Sequence, residues 1–103
     1  MRYSDLTSLL YNENPPKNIR DVIGPTHPLF ESPGSDPRAS GLYLVHHAVY
    51  GWCTYGFTVE HRWGDDDIEI DRHGRKHYKV TYWTTLDFLE EDGVYAEKFP
   101  GNV

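Results

Sequence analysis

Residues 64–83 read GDDDIEIDRHGRKHYKVTYW, and no other stretch limits the fold as much, because its side chains test a hairpin register on their own. A three-residue loop Arg72-His73-Gly74, with glycine in the left-handed position such loops favour, sets Asp71 across from Arg75, Ile70 from Lys76, Glu69 from His77, Ile68 from Tyr78 and Asp67 from Lys79. One face then carries Ile68, Ile70, Tyr78, Val80 and Tyr82 and is expected to turn toward the core. The other face pairs opposite charges, Asp71 with Arg75 and Asp67 with Lys79, and Glu69 with His77 once that ring is protonated. A one-residue slip sets Ile68 against Lys79 and Ile70 against His77, which is worse on both faces. Each favourable cross-strand pair stabilises by about 0.2–1 kcal/mol.

This register changes what the acids mean. Asp65, Asp66, Asp67, Glu69 and Asp71 look like a carboxylate site, but Arg72, Arg75, Lys76 and Lys79 share the segment and leave it at −1. A calcium loop of the EF-hand kind fails, since loops begun at Asp65 or Asp67 lack the sixth-position glycine and the twelfth-position glutamate. The cluster reads as a solvated, charge-paired sheet face.

Before the hairpin, residues 42–50 (LYLVHHAVY) and 53–63 (CTYGFTVEHRW) read as two strands with a turn near Gly51. In the second, Tyr55, Phe57, Val59 and His61 alternate with Gly56, Thr58, Glu60 and Arg62, the period of a half-buried strand. At the N-terminus, Ser4 is placed to cap a helix with Leu6, Leu9 and Leu10 on one face, and Asn14-Pro15-Pro16 stops it. Pro16 suits the start of a second helix bearing Ile19, Val22 and Ile23, with Gly24 in a left-handed position at its end. Residues 25–41, rich in proline, glycine and small polar side chains, read as a long loop that is either mobile or functional, with Leu29 and Phe30 in its middle placed to pin it to the core. After the hairpin, Thr84 or Thr85 caps a short helix through LDFLEED, and 94–99 reads as a last strand. The expectation is a single α+β domain over residues 1–103. It holds a small antiparallel sheet of four to five strands, two short N-terminal helices and one short helix before the last strand.

Composition bounds function. The formal net charge is −6, with 16 acids against 10 lysines and arginines, which argues against direct nucleic-acid or anionic-membrane binding and permits a basic protein surface as partner. Fifteen of the 103 residues are aromatic, enough to carry a modest core despite low aliphatic content. A lone cysteine, Cys53, excludes an intrachain disulfide and a cysteine-ligated zinc, and it reads as a small packed hydrophobe. The first residues lack the apolar core of a signal peptide, and glycines and histidines interrupt the most apolar run, so a cytoplasmic location without a membrane span is expected.

No phosphate-binding glycine loop or GxSxG nucleophile motif is present, and no cofactor is expected. His46 and His47 are adjacent on a strand and face opposite ways. His46 or His47 with His61 and His77, and with Glu69 as carboxylate, could form a metal or acid/base site across neighbouring strands, which defines the alternative reading as a small enzyme or metal-binding protein. Trp52, Trp63 and Trp83 would serve a third reading, a carbohydrate or small-ligand binder, if exposed. Most of the charge excess lies late in the chain. Asp87, Glu90, Glu91, Asp92 and Glu97 face only Lys98 beyond residue 84, and the acids at the end of the expected helix oppose its dipole. These five acids are the candidate partner-binding residues. The leading expectation is a small acidic, non-enzymatic protein-binding module, an inhibitor or antagonist of the phage anti-defence or toxin-immunity type in size and charge, docking on a basic and possibly nucleic-acid-binding surface.

Overall fold

A computed structural model describes residues 1–14 and 16–89. Helices α1 (Tyr3–Leu10) and α2 (Arg20–Ile23) precede strands β1 (Phe30–Glu31), β2 (Gly41–His47), β3 (Gly51–Phe57), β4 (Ile68–Ile70), β5 (Lys76–Tyr78) and β6 (Val80–Thr84). Four strands form an antiparallel sheet in the order β1-β6-β2-β3, and β4 and β5 form a separate two-stranded ribbon. The α+β class and the antiparallel sheet agree with expectation. The four strands of the main sheet fall within the expected number, while the separate ribbon, the strand β1 and the helix boundaries differ from expectation.

The four-stranded sheet is buried on both sides, because the alternation of a strand sends successive side chains to opposite faces. On one side Leu44 meets Leu6 and Leu10 of α1, Ile19, Ile23, Leu86 and Leu89, with Leu42 and Trp52 half-buried beside them. On the other, Val45, Cys53, Phe57, Trp63, Val80 and Trp83 close a core rich in aromatic rings, with Phe30 stacked on Trp83 at 4.6 Å and Trp63 edge-on to Phe57 at 4.8 Å. The apolar stripe of α1 therefore docks as its i, i+4 spacing demands, and this docking supplies the stability that eight residues of isolated helix lack. The helix begins two residues earlier than expected, with Arg2 and not Ser4 at its N-cap. Ser4 lies inside it, accepting from Thr7 Oγ1 at its carbonyl, and Asp5 accepts from the Arg2 amide. The second helix is a single turn that starts at Arg20, not at Pro16. The side chain of Asn18 receives the Arg20 amide, and Gly24 closes the turn at φ +87° with extended ψ, not in the left-handed helical position.

Residues 25–41 are not a bare loop. Phe30 and Glu31 pair with Trp83 and Tyr82, and the Ser32 amide continues the ladder to Thr81. Thr84 Oγ1 donates to the Pro28 carbonyl, the Trp83 indole to the Ser35 carbonyl and the Tyr43 hydroxyl to the Ala39 carbonyl. Proline and glycine content hid a segment that gains its order from long-range hydrogen bonds. The strand expected over 53–63 ends at Phe57. Thr58 and Arg62 exchange both backbone hydrogen bonds across a tight turn, which leaves Val59 and His61 exposed instead of alternating into the core. Residues 86–89 form a turn closed by Leu89 N to the Leu86 carbonyl, so within the described residues the expected capped helix is absent. The remainder of that helix and the expected 94–99 strand lie outside the described residues. Among the described residues no helix is long and apolar enough to cross a membrane.

Candidate functional site

The ribbon is the feature that stands apart from the two cores. Its register is the one its side chains specify: Ile68 faces Tyr78, Glu69 faces His77, Ile70 faces Lys76, and Asp71 and Arg75 close the ladder through Asp71 N to Arg75 O at 3.0 Å. Gly74 takes φ +79°, the left-handed value the loop requires. Asp71 knits that loop. Its Oδ1 accepts from the amides of His73 and Arg75 at 2.8 and 2.9 Å, and its Oδ2 accepts from His77 Nε2 at 2.8 Å. The hydrogen bond from His77, then the Arg75 and His73 amides, hold the Asp71 carboxyl below its ordinary range. His77 thus pairs diagonally with Asp71, not with Glu69 as the charge pattern suggests.

The ribbon departs from expectation in where it lies. It does not lay Ile68 and Ile70 on the core. Between Tyr78 and Val80 the chain leaves the ribbon and enters the four-stranded sheet, where Val80 and not Tyr78 pairs with His47 of β2 at a register shift. Val80 is fully buried, whereas Ile68 is 41% and Ile70 64% exposed, on the ribbon face they share with Tyr78.

The junction is held by one buried carboxylate. Asp67, 3% exposed, ends a 3-10 turn over Asp65–Asp67 that follows Gly64. Its Oδ1 accepts from the Val80 amide at 3.0 Å, its Oδ2 lies 3.3 Å from Arg62 Nη1, and its carbonyl accepts from the Lys79 amide at 2.7 Å. The expected side-chain pair of Asp67 with Lys79 is replaced by that backbone bond, because the acid turns inward. Arg62 also grips Asp36 from the 25–41 segment, through Nε at 3.1 Å and Nη2 at 2.9 Å, and its guanidinium lies 5.5 Å from the centre of the Tyr78 ring. Ser32 Oγ donates to Asp36 and accepts the Trp63 indole at 3.2 Å. Arg62 occupies φ +54°, a left-handed backbone uncommon outside glycine, which the Thr58–Arg62 bonds and both carboxylates hold in place. The arrangement is an electrostatic clamp that joins three segments distant in sequence: 32–36, 58–63 and 65–80. Beside it a depression of about 280 Å³ is lined by residues including His61, Arg62, Asp65 and Ile68.

The histidines proposed as ligands are not gathered. His46 sits on β2 with Nδ1 2.8 Å from Thr81 Oγ1 and its ring against Trp52, His61 is exposed on the 58–62 turn, and His77 serves the ribbon loop. Among the described residues no three His, Cys, Asp or Glu side chains come together as a metal site. Cys53 is buried and its thiol is pushed up to about 11 by desolvation, so it stays neutral and is not an activated nucleophile. Trp63 and Trp83 are in the core and Trp52 is half-buried under His46, which leaves no exposed tryptophan platform. Of the acids proposed for partner binding, Asp87 is exposed. Its Oδ1 accepts from Thr85 Oγ1 and lies 3.4 Å from His27 Nε2. Glu90, Glu91, Asp92 and Glu97 lie outside the described residues.

Arg62, Asp36, Ser32 and the structural role of Asp67 carry no periodic or motif signal. Their contacts span from 4 to 31 positions, and the longer ones become visible only once β1 is paired with β6. Comparison with protein-family models, with curated proteins and with solved structures finds none that matches this chain.

Proposed function

We propose that this chain is a non-enzymatic protein-binding module that presents the β4–β5 ribbon to a partner with a basic surface, as an inhibitor or antagonist would. The observation that carries the reading is the exposure of Ile68 and Ile70, next but one to each other on a ribbon that pairs with no strand of the main sheet. Single exposed apolar residues are ordinary. Two β-branched residues on one ribbon face, with Tyr78 on the same face, offer a contact of the kind that buries on binding, worth about 1.5–3 kcal/mol for each side chain fully covered. Exposed Asp65 and Asp66 flank this face at the ribbon's base, and the formal charge of −6 favours a basic partner and speeds its encounter. Asp87 with Glu90, Glu91, Asp92 and Glu97 adds to that field.

Affinity capture with the full chain tests the reading. A partner retained by the native protein should be lost with Ile70→Lys, and lost or made salt-insensitive with the charge reversal of Asp87, Glu90 and Glu91 to lysine. Capture that neither variant changes, while both keep the native circular dichroism spectrum, sinks the proposal.

A further inference from the structure

His47 is the one buried histidine among the described residues, 4% exposed, and the clamp does not use it. Its ring lies between Tyr50 and Tyr55, stacked at 4.5 and 5.4 Å between centroids. Its Nδ1 accepts from two backbone amides of the β2–β3 turn, Val49 N at 3.1 Å and Tyr50 N at 3.3 Å. An imidazole nitrogen that accepts must carry its lone pair, so the ring is neutral with its proton on Nε2. The lone pair engaged with the two amides is therefore also the only site a second proton can take. Most histidines gain a donor on protonation. This one would lose two hydrogen bonds and turn an N–H toward two others.

The turn that Nδ1 holds is also tied to the ribbon. Ala48 N donates to the Lys79 carbonyl at 2.7 Å, and Lys79 N donates to the Asp67 carbonyl, at the point where β5 gives way to β6. Val49 and Tyr50 are 68% and 67% exposed, so the stacking of the Tyr50 ring on His47 is the main apolar contact that opposes their outward movement. We propose that His47 is an acid-sensitive latch: protonation at Nδ1 releases the 48–50 turn and, through Ala48 and Lys79, loosens the base of the β4–β5 ribbon.

The charges facing His47 come from each element around it. Lys79 at the junction and His46 beside it on β2 oppose a positive ring, the Asp67 carboxylate favours one but is already engaged by Arg62 and the Val80 amide, and Tyr50 and Tyr55 cover the ring faces. Burial, first, and Lys79, second, keep the ring's pKa below its ordinary value of 6.5. The sign follows. The unfolded chain takes up the proton near 6.5 and the folded chain does not, so stability is complete above that pH and falls as pH drops toward the folded value, where the latch opens.

Only the consequence for partner binding rests on the ribbon being the contact element. The latch itself is tested on the free protein. Amide exchange of the native chain, corrected for the intrinsic effect of pH, should show protection at Val49 and Tyr50 falling at least about tenfold between pH 7.5 and 5.0, the loss expected when both bonds to Nδ1 break. Leu44 and Val45 should keep theirs. His47→Asn sets an acceptor that does not titrate near the place of Nδ1 and should abolish the change. Protection that is unaltered by pH, that falls equally in His47→Asn, or that is lost together with Leu44 and Val45 overturns the latch. Should His47→Asn fail to fold, the ring nitrogen shifts of the native protein decide: a proton found on Nδ1 at pH 7.5 refutes it.

Discussion

Asp67 and Asp71 stand four residues apart in one acidic run and are held in opposite ways. Asp71 sits at the surface of the ribbon and accepts from a histidine and two loop amides, with water at hand to replace any of them. Asp67 is buried and accepts from Arg62 and from the Val80 amide, which lead into two other parts of the molecule. The first organises a loop of its own neighbours. The second holds together segments that would otherwise part. Burial makes the difference, because a buried donor or ion that loses its partner has no solvent to turn to.

Removing the inner carboxylate should be the most damaging change. Asp67→Ala leaves the Val80 amide unsatisfied and Arg62 with one carboxylate, and should cost about 3–5 kcal/mol in urea unfolding. A cost below about 1 kcal/mol would show that the clamp is not what joins ribbon to sheet. Ser32→Ala deprives the Trp63 indole and Asp36 of their shared partner, and is expected to cost about 1–3 kcal/mol by the same measurement. Asp71→Asn should leave the global midpoint nearly unchanged while the His73 and Arg75 amides exchange faster. Because the Asp71 pKa is depressed, its contribution is present above the ordinary carboxylate value of 3.8 and is lost as pH falls through its lower folded value, so the native ribbon loop should loosen in acid in a way Asp71→Asn does not. Ile70→Thr should have the smallest effect on stability, within about 0.5 kcal/mol, since the side chain is already exposed and threonine keeps strand propensity. A large loss there would mean that the ribbon face packs on the rest of the protein, and would remove the observation on which partner binding rests.

The ribbon's register was legible because it depends on residues within about ten positions of each other. Ile68 against Tyr78, Glu69 against His77 and the glycine at φ +79° follow from pairing rules that act at short range. Its orientation was not legible. The same apolar alternation that suggested a core face, Ile68, Ile70, Tyr78, Val80, is cut at Lys79, where Val80 joins β2 and the isoleucines are left outside. The 25–41 segment shows the reverse. Its proline and glycine content speaks only of missing local preference, while its order comes from Trp83, Thr84, Thr81 and Arg62, all at least 20 residues away.

By itself the sequence determined the pieces whose partners are near neighbours: the leucine stripe of α1, the β2–β3 and β4–β5 hairpins, the aromatic supply for a core and the acidic balance. Only the tertiary structure decided which acid is buried, which histidine is locked neutral and which isoleucines meet water. Those outcomes depend on desolvation, and a side chain's access to solvent is set by what the rest of the chain brings against it, not by its neighbours in sequence.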